Sequence, residues 1–142
     1  MRLQGPGNGL ENIMTPVLVP TQGYCILPVT GCQSCIRACP SGVLRPIDLS
    51  GVSSRDLSKR VKMGTAYVNT KTCIPYSLNK PCLACKEACP VEGAITTKGG
   101  GARSAKKPVF NHDICVGCGA CENVCPTSPK SVTVSPSGAL RE

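Results

Sequence analysis

The hydrophobic positions of this chain gather into short β-prone stretches that flank cysteine-rich loops, and the arrangement occurs three times. In the second occurrence the stretches are 65–69 (TAYVN) and 93–97 (GAITT), around a loop that ends at Cys89. In the third they are 108–111 (PVFN) and 131–134 (SVTV), around a loop that ends at Cys125. Both place an asparagine four residues before the first cysteine, Asn69 before Cys73 and Asn111 before Cys115, so 61–142 reads as one duplicated module. The first occurrence, 17–19, the loop to Cys39 and 43–47, is a looser copy because Pro20 and Gly23 interrupt it. With a short helix in each loop, the pattern predicts an α+β fold of duplicated β-α-β units with an additional N-terminal unit. Its parts are an arm at 1–16, a first unit with its linker at 17–60, and the module at 61–142.

The connecting segments carry their own signals. Residues 48–62 (DLSGVSSRDLSKRVK) have a cap and helical charge spacing, which predicts a short surface helix, with a subunit contact as its alternative use. The stretch 99–107 (GGGARSAKK) reads as a flexible, basic hairpin connection; a docking patch for an acidic partner is the alternative. The arm has no core pattern and is expected to order on a partner. No window approaches the roughly 18 apolar residues of a membrane span.

Twelve cysteines sharpen the picture. Cys115, Cys118, Cys121 and Cys125, followed by Pro126, spell CxxCxxCxxxCP. Cys32, Cys35 and Cys39 with Pro40, and Cys82, Cys85 and Cys89 with Pro90, repeat its second half; Cys25 and Cys73 precede them at a longer gap. Three sets of four use every thiol, and a 4Fe-4S cube takes four thiolates. Thiolates two residues apart need a tight loop that turns amides toward the sulfides, and Gly117 and Gly119 suit that close approach. The last cysteine follows after about one helical turn, and the proline stops the helix. The longer loops lack these glycines, which predicts different hydrogen bonding and a different potential for their cubes.

Composition says how such a chain is held together. One Phe, three Tyr and no Trp stand against 15 glycines and 13 prolines, so the ordinary apolar core is thin and metal groups act as staples. Cluster loss is then expected to unfold the protein. The formal charge of +8 counts thiols as neutral. Four thiolates on a +2 core leave roughly −2 per cube, so most of the basic excess is a counter-field for the cubes rather than a nucleic-acid surface, which would also want aromatic residues for stacking. The stretch 1–24 lacks a basic start followed by an apolar run, and no twin-arginine signal is present, which predicts a cytoplasmic, reduced-thiol protein. Structural zinc is the competing use of CxxC pairs, but zinc sites use separated pairs without a third thiol two residues on. A disulfide scaffold would need a secretion signal, and no thioredoxin-like strand and helix pattern surrounds the motifs.

TAYVNTKTC, CLACKEACPVEGAIT, KPVFNHDICVGCGACENVCP and SVTV, in this order, resemble the two halves of a bacterial two-cluster 4Fe-4S ferredoxin. The long-gap runs CILPVTGCQSCIRACP and CIPYSLNKPCLACKEACP, with GTAY, also resemble the polyferredoxin subunits found beside periplasmic nitrate reductase and methylamine dehydrogenase. Those relatives usually carry sixteen ligands and an export signal; twelve ligands without one point to a cytoplasmic subunit of another complex. The two-cluster resemblance implies a ferredoxin-like fold with crossed ligation. One cube would take Cys115, Cys118, Cys121 and Cys89, another Cys73, Cys82, Cys85 and Cys125, and a third Cys25, Cys32, Cys35 and Cys39; pairing of the first unit with the second is the alternative.

The expected function is electron transfer through three 4Fe-4S clusters, without a substrate site of its own. The expected partners are a catalytic oxidoreductase subunit and a redox donor or acceptor protein, and self-association into a longer chain of clusters is a further use for an unpaired cube. A free ferredoxin, a maturation accessory protein and a zinc module are the other readings. His112, the only histidine, reads as a loop residue facing water, with tuning of the nearby cube as its alternative.

Overall fold

The computed structural model describes residues 2–3, 5, 15–101 and 104–140. Each α-helix among them is a single four-residue turn, far below the roughly 12–15 residues at which a helix persists alone in water, so packing holds these turns in place. In chain order the elements are β1 (Arg2–Leu3), β2 (Pro16–Val17), α1 (Leu27–Thr30), α2 (Ser34–Arg37), a 3-10 turn (Leu57–Lys59), β3 (Thr65–Val68), α3 (Ile74–Ser77), α4 (Ala84–Glu87), β4 (Ile95–Lys98), β5 (Lys107–Phe110), α5 (Ala120–Asn123) and β6 (Val132–Ser135).

Two antiparallel ladders frame the later part of the chain. β3 pairs with β6, Ala66 opposite Val134 and Val68 opposite Val132, and β4 pairs with β5, Ile95 opposite Phe110. The first strand of the second unit is thus matched with the last strand of the third, and the two inner strands form a hairpin. Residues 99–106 connect that hairpin, in line with the sequence reading; Arg103 and its neighbour at 102 lie outside the described residues.

Two apolar clusters lie along these ladders. Ala66, Ile95 and Val132 bury with Cys85, Cys121 and Cys125. Val91, Ala94, Val116, Cys118 and Ala120 bury with Leu27, Leu57 and Val61, and Ile47, Leu49 and Val52 pack against them, which joins the first unit to the rest. The join is also a backbone contact: the Cys25 amide donates to the Cys118 carbonyl at 2.8 Å. Where Gly64 runs past β6, a Cβ would collide with the Ser135 backbone, so only glycine fits.

The first unit departs from the expected β-α-β form. Stretch 43–47 is not a strand: Val43 and Leu44 are exposed, and Pro46 has no amide to donate. The Gln33 side chain takes the place of a partner strand, donating to the Ile47 carbonyl at 2.7 Å and accepting its amide at 3.0 Å. The expected strand at 17–19 is the two-residue β2, and it pairs with β1 of the arm instead of with its own unit. Most of the arm, including 6–14, lies outside the described residues.

The linker is helical only at the 3-10 turn Leu57–Lys59. Asp48, which reads as a helix cap, closes a turn by accepting the Ser50 amide at 2.9 Å. Gly51 at φ +68 and four serines favour turns over helix, because the hydroxyls compete for backbone groups. Leu57 and Val61 point into the core, and the buried Ser58 hydroxyl donates to the Asp113 carbonyl at 2.6 Å, while Arg55, Asp56, Lys59 and Arg60 stay exposed, so the segment lies on the surface with one side packed inward.

Candidate metal centres

Asn69 and Asn111 open equivalent turns. Each Oδ1 accepts the amide two residues on, Lys71 and Asp113, both at 3.0 Å, and each carbonyl accepts the amide of the first cysteine, Cys73 at 3.0 Å and Cys115 at 3.1 Å. Cys35, Cys85 and Cys121 then occupy the second position of α2, α4 and α5. Cys32, Cys82 and Cys118 precede those turns and Cys39, Cys89 and Cys125 follow them, so one turn of helix spaces three sulfurs around a common side. The two longer gaps are filled by α1 and α3, each with proline in its first turn, and end at Gly31 (φ +67) and Asn79 (φ +51) in the left-handed region.

The short third loop has no such insert. Gly117 and Gly119 adopt φ of +72 and +89, and a Cβ on Gly117 would strike the backbone of Gly64, one on Gly119 the ring of Pro20. The close approach these glycines permit is therefore to protein.

Two cavities of similar size receive the thiols. One, of about 330 Å³, is lined by Cys89, Cys115, Cys118 and Cys121 among apolar residues that include Ile95 and Val116. The other, of about 300 Å³, is lined by Cys73, Cys82, Cys85 and Cys125. In each, three sulfurs come from one motif and the fourth from the other. The linings coincide with the two sets of four that the two-cluster resemblance implies.

The electrostatics of these thiols reflect crowding. Burial pushes Cys85 up to about 11, helped by Cys73, Cys82 and Cys125 as like charges. Burial likewise pushes Cys118 up to about 11, with Cys89, Cys115 and Cys25 nearby, and raises Cys121 further, with Cys118, Cys115, Cys89 and Cys85 as its like-charged neighbours. Cys125 behaves differently. Burial raises it too, but the Thr127 hydroxyl and the amides of Thr127, Val132 and Ser131 outweigh that and hold it below its ordinary value. Four mutually repelling thiolates in a dry space are satisfied by a cationic core placed among them, so the donor sets fit a 4Fe-4S group. Among the described residues, no three cysteine, histidine or carboxylate side chains are grouped closely enough to hold a single metal ion.

The first set is arranged differently. Cys32 and Cys35 act as like charges on Cys25, whose thiol is raised by burial, so these three share a neighbourhood. Cys39 is held by its own loop: the Ser41 hydroxyl at 3.3 Å, then the amides of Leu44, Ser41 and Gly42, bring it down to about 7. Cys35 is exposed. His112 is exposed and meets Tyr67 edge-on, ring centroids 4.8 Å apart.

A family described as "4Fe-4S dicluster domain" matches residues 80–128, and one described as "4Fe-4S binding domain" matches 30–43. This chain carries ferredoxin-type 4Fe-4S domains. The methylamine utilization ferredoxin-type protein MauM of Methylobacillus flagellatus is 34% identical over 77% of this chain and 46% of its own length. MauM of Methylorubrum extorquens is 28% identical over 86% of this chain and 53% of its own. The ferredoxin-type protein NapG of Haemophilus influenzae is 29% identical over 89% of this chain and 47% of its own. The chain spans about half the length of the curated relatives it matches. No solved structure matches it. No helix among the described residues is long and apolar enough to cross a membrane.

In these ferredoxin-type domains three of the cysteines have a hydroxyl two residues on: Ser34 after Cys32, Ser41 after Cys39 and Thr127 after Cys125, each 3.2–3.3 Å from the sulfur. Sequence reasoning passed over them. The signal that could have found them is Cys-Pro-Ser and Cys-Pro-Thr at two of the three motif ends, against Cys-Pro-Val at Cys89.

Proposed function

We propose that this protein relays electrons through three 4Fe-4S clusters as the small subunit of a cytoplasmic oxidoreductase complex. In this reading Cys89, Cys115, Cys118 and Cys121 hold one cluster; Cys73, Cys82, Cys85 and Cys125 a second; and Cys25, Cys32, Cys35 and Cys39 a third. The observation that carries it is the pair of similar cavities, each lined by four thiols drawn from two motifs. Residues 61–142 then act as a duplicated module whose outer strands are paired with each other, and 17–60 as an added cluster-binding unit with its linker.

When bound, a 4Fe-4S group exchanges one electron at a time. The chain supplies the spacing. Cys25 donates its amide to the Cys118 carbonyl, and Cys85 lies within electrostatic reach of Cys121, so the three thiol sets form a row with the Cys89 set in the middle. The proposed partners are a catalytic oxidoreductase subunit, which would carry the substrate chemistry, and a one-electron donor or acceptor protein. A reducing compartment suits the twelve cysteines, all of which are free thiols.

Structural zinc is the competing reading. A zinc ion draws its ligands to about 2.3 Å from one point, whereas among the described residues no three cysteine, histidine or carboxylate side chains are grouped that closely. Iron and acid-labile sulfide on anaerobically purified protein, with EPR after dithionite reduction, test the proposal. About twelve of each per chain are expected, four per cube; zinc without sulfide would overturn it. Cell fractionation tests the compartment.

A further inference from the structure

The two four-thiol cavities differ in what stands behind the sulfur that each takes from the other motif. Behind Cys125 a chain of hydroxyls begins. Thr127 Oγ1 lies 3.2 Å from Cys125 Sγ, accepts the Ser131 amide at 2.8 Å and lies 2.7 Å from Ser131 Oγ. The Ser131 hydroxyl donates to Thr72 Oγ1 at 2.9 Å, and Thr72 Oγ1 donates to the Asn69 carbonyl at 3.5 Å. Ser131, in the middle of the chain, is only 1% exposed, Thr127 and Thr72 are half-buried, and the Thr72 to Asn69 end is exposed. Behind Cys89 the corresponding residue is Val91, whose carbonyl lies 3.5 Å from Sγ and accepts from the thiol.

The hydrogens decide what each arrangement does. With Cys125 as a thiol, S–H to Thr127 to Ser131 to Thr72 to Asn69 is a consistent run pointing away from the sulfur, since each hydroxyl carries one hydrogen. A cysteine that binds a metal is a thiolate and has none to give. The run then reverses: Thr72 donates to Ser131, Ser131 to Thr127, and Thr127 to sulfur, three aligned dipoles aimed at negative charge. At Cys89 the ligated sulfur has the Val91 backbone amide as a donor, as Cys125 has the Thr127 amide, but the valine side chain adds no hydroxyl to it. Hydrogen bonds to sulfur favour the more negative, reduced state of a cluster.

We propose that the Thr127, Ser131 and Thr72 hydroxyl chain sets the reduction potential at the Cys73, Cys82, Cys85 and Cys125 site above that at the Cys89, Cys115, Cys118 and Cys121 site. With clusters held by both sets, an electron given to the Cys89 set by a one-electron donor protein would be passed to the Cys73 set, the first losing the one electron that the second gains. Thr127 is a tuning residue that acts through the Cys125 sulfur. This rests on the three-cluster reading above.

EPR-monitored redox titration of the cluster-loaded protein tests it, with iron and sulfide counted on every sample. T127V should lower one midpoint only, by about tenfold in the reduction equilibrium constant, which is about 59 mV for one electron. T127S should restore it. V91T, acting at the other cavity, should raise the other midpoint and narrow the gap, and it keeps the proposal testable should T127V fail to fold. Unchanged midpoints in a fully loaded T127V or V91T, or equal shifts of both midpoints, would overturn the tuning and leave the relay standing. Wild-type protein without iron and sulfide would overturn both.

Discussion

Residues 32–40 and 82–90 share the run CxxCxxxCP, and both set their middle cysteine at the second position of a one-turn helix, yet Cys85 is buried and Cys35 exposed. The motif shapes the loop; the wall around it comes from elsewhere in the chain. Around Cys85 that wall is built by strands far away in sequence, β3 against β6 and β4 against β5. Among the described residues no such ladder covers Cys35, and Tyr24, Ile26, Val29, Val43 and Leu44 of the same unit are exposed. The same local chemistry therefore yields a dry site in one region and an open one in the other.

Removing the metal should have the largest effect on this contrast. Chelation under reducing conditions is expected to unfold the 61–140 ladders together with the first unit, because sulfurs occupy both apolar clusters. Far-UV circular dichroism before and after would show it, and an apo-protein that melts like the loaded one would refute it. Single ligands come next. Cys35→Ser should cost one site and leave about eight irons per chain, counting four per cube. Cys121→Ser, at a buried residue that lines one cavity within electrostatic reach of Cys85 of the other, should lower the melting temperature as well as the iron content; equal losses for the two variants would erase the contrast.

Leu57→Ala tests the apolar join between the regions. It should cost about 2–5 kcal/mol of stability and expose 17–60 to protease before the rest, read by thermal unfolding and limited proteolysis. The smallest effect is expected at the Arg55 to Glu92 ion pair, which also spans the regions at 3.6 Å. Its side chains are 61% and 77% exposed, so Arg55→Ala should change stability by less than about 0.5 kcal/mol.

The strands of the later region were legible within one or two residues, because short β-prone clusters beside fixed cysteine spacings leave little room for other choices. Asn69 and Asn111 marked the repeat, but that each opens a turn was seen only in the structure. The first region misled where a local signal met no tertiary partner. Val43 and Leu44 have strand propensity, but no strand lies beside them and Gln33 satisfies Ile47 instead. Asp48 and the charges that follow look like a helix start, yet Gly51 and the serines turn the chain so that Leu57 and Val61 reach the core. The hydroxyl run behind Cys125 was out of reach for a different reason: Thr72, Thr127 and Ser131 meet only after β3 and β6 pair.

The crossing of thiols between cavities sets a schedule for biosynthesis. Cys25, Cys32, Cys35 and Cys39 emerge from the ribosome together, so their set is complete early. In the proposed ligation the set that contains Cys73, Cys82 and Cys85 would wait for Cys125, 40 residues beyond Cys85 by subtraction, a delay of about 2–8 s at typical rates of chain elongation. During that interval Cys73, Cys82 and Cys85 would stand as an incomplete group of thiols open to oxidation.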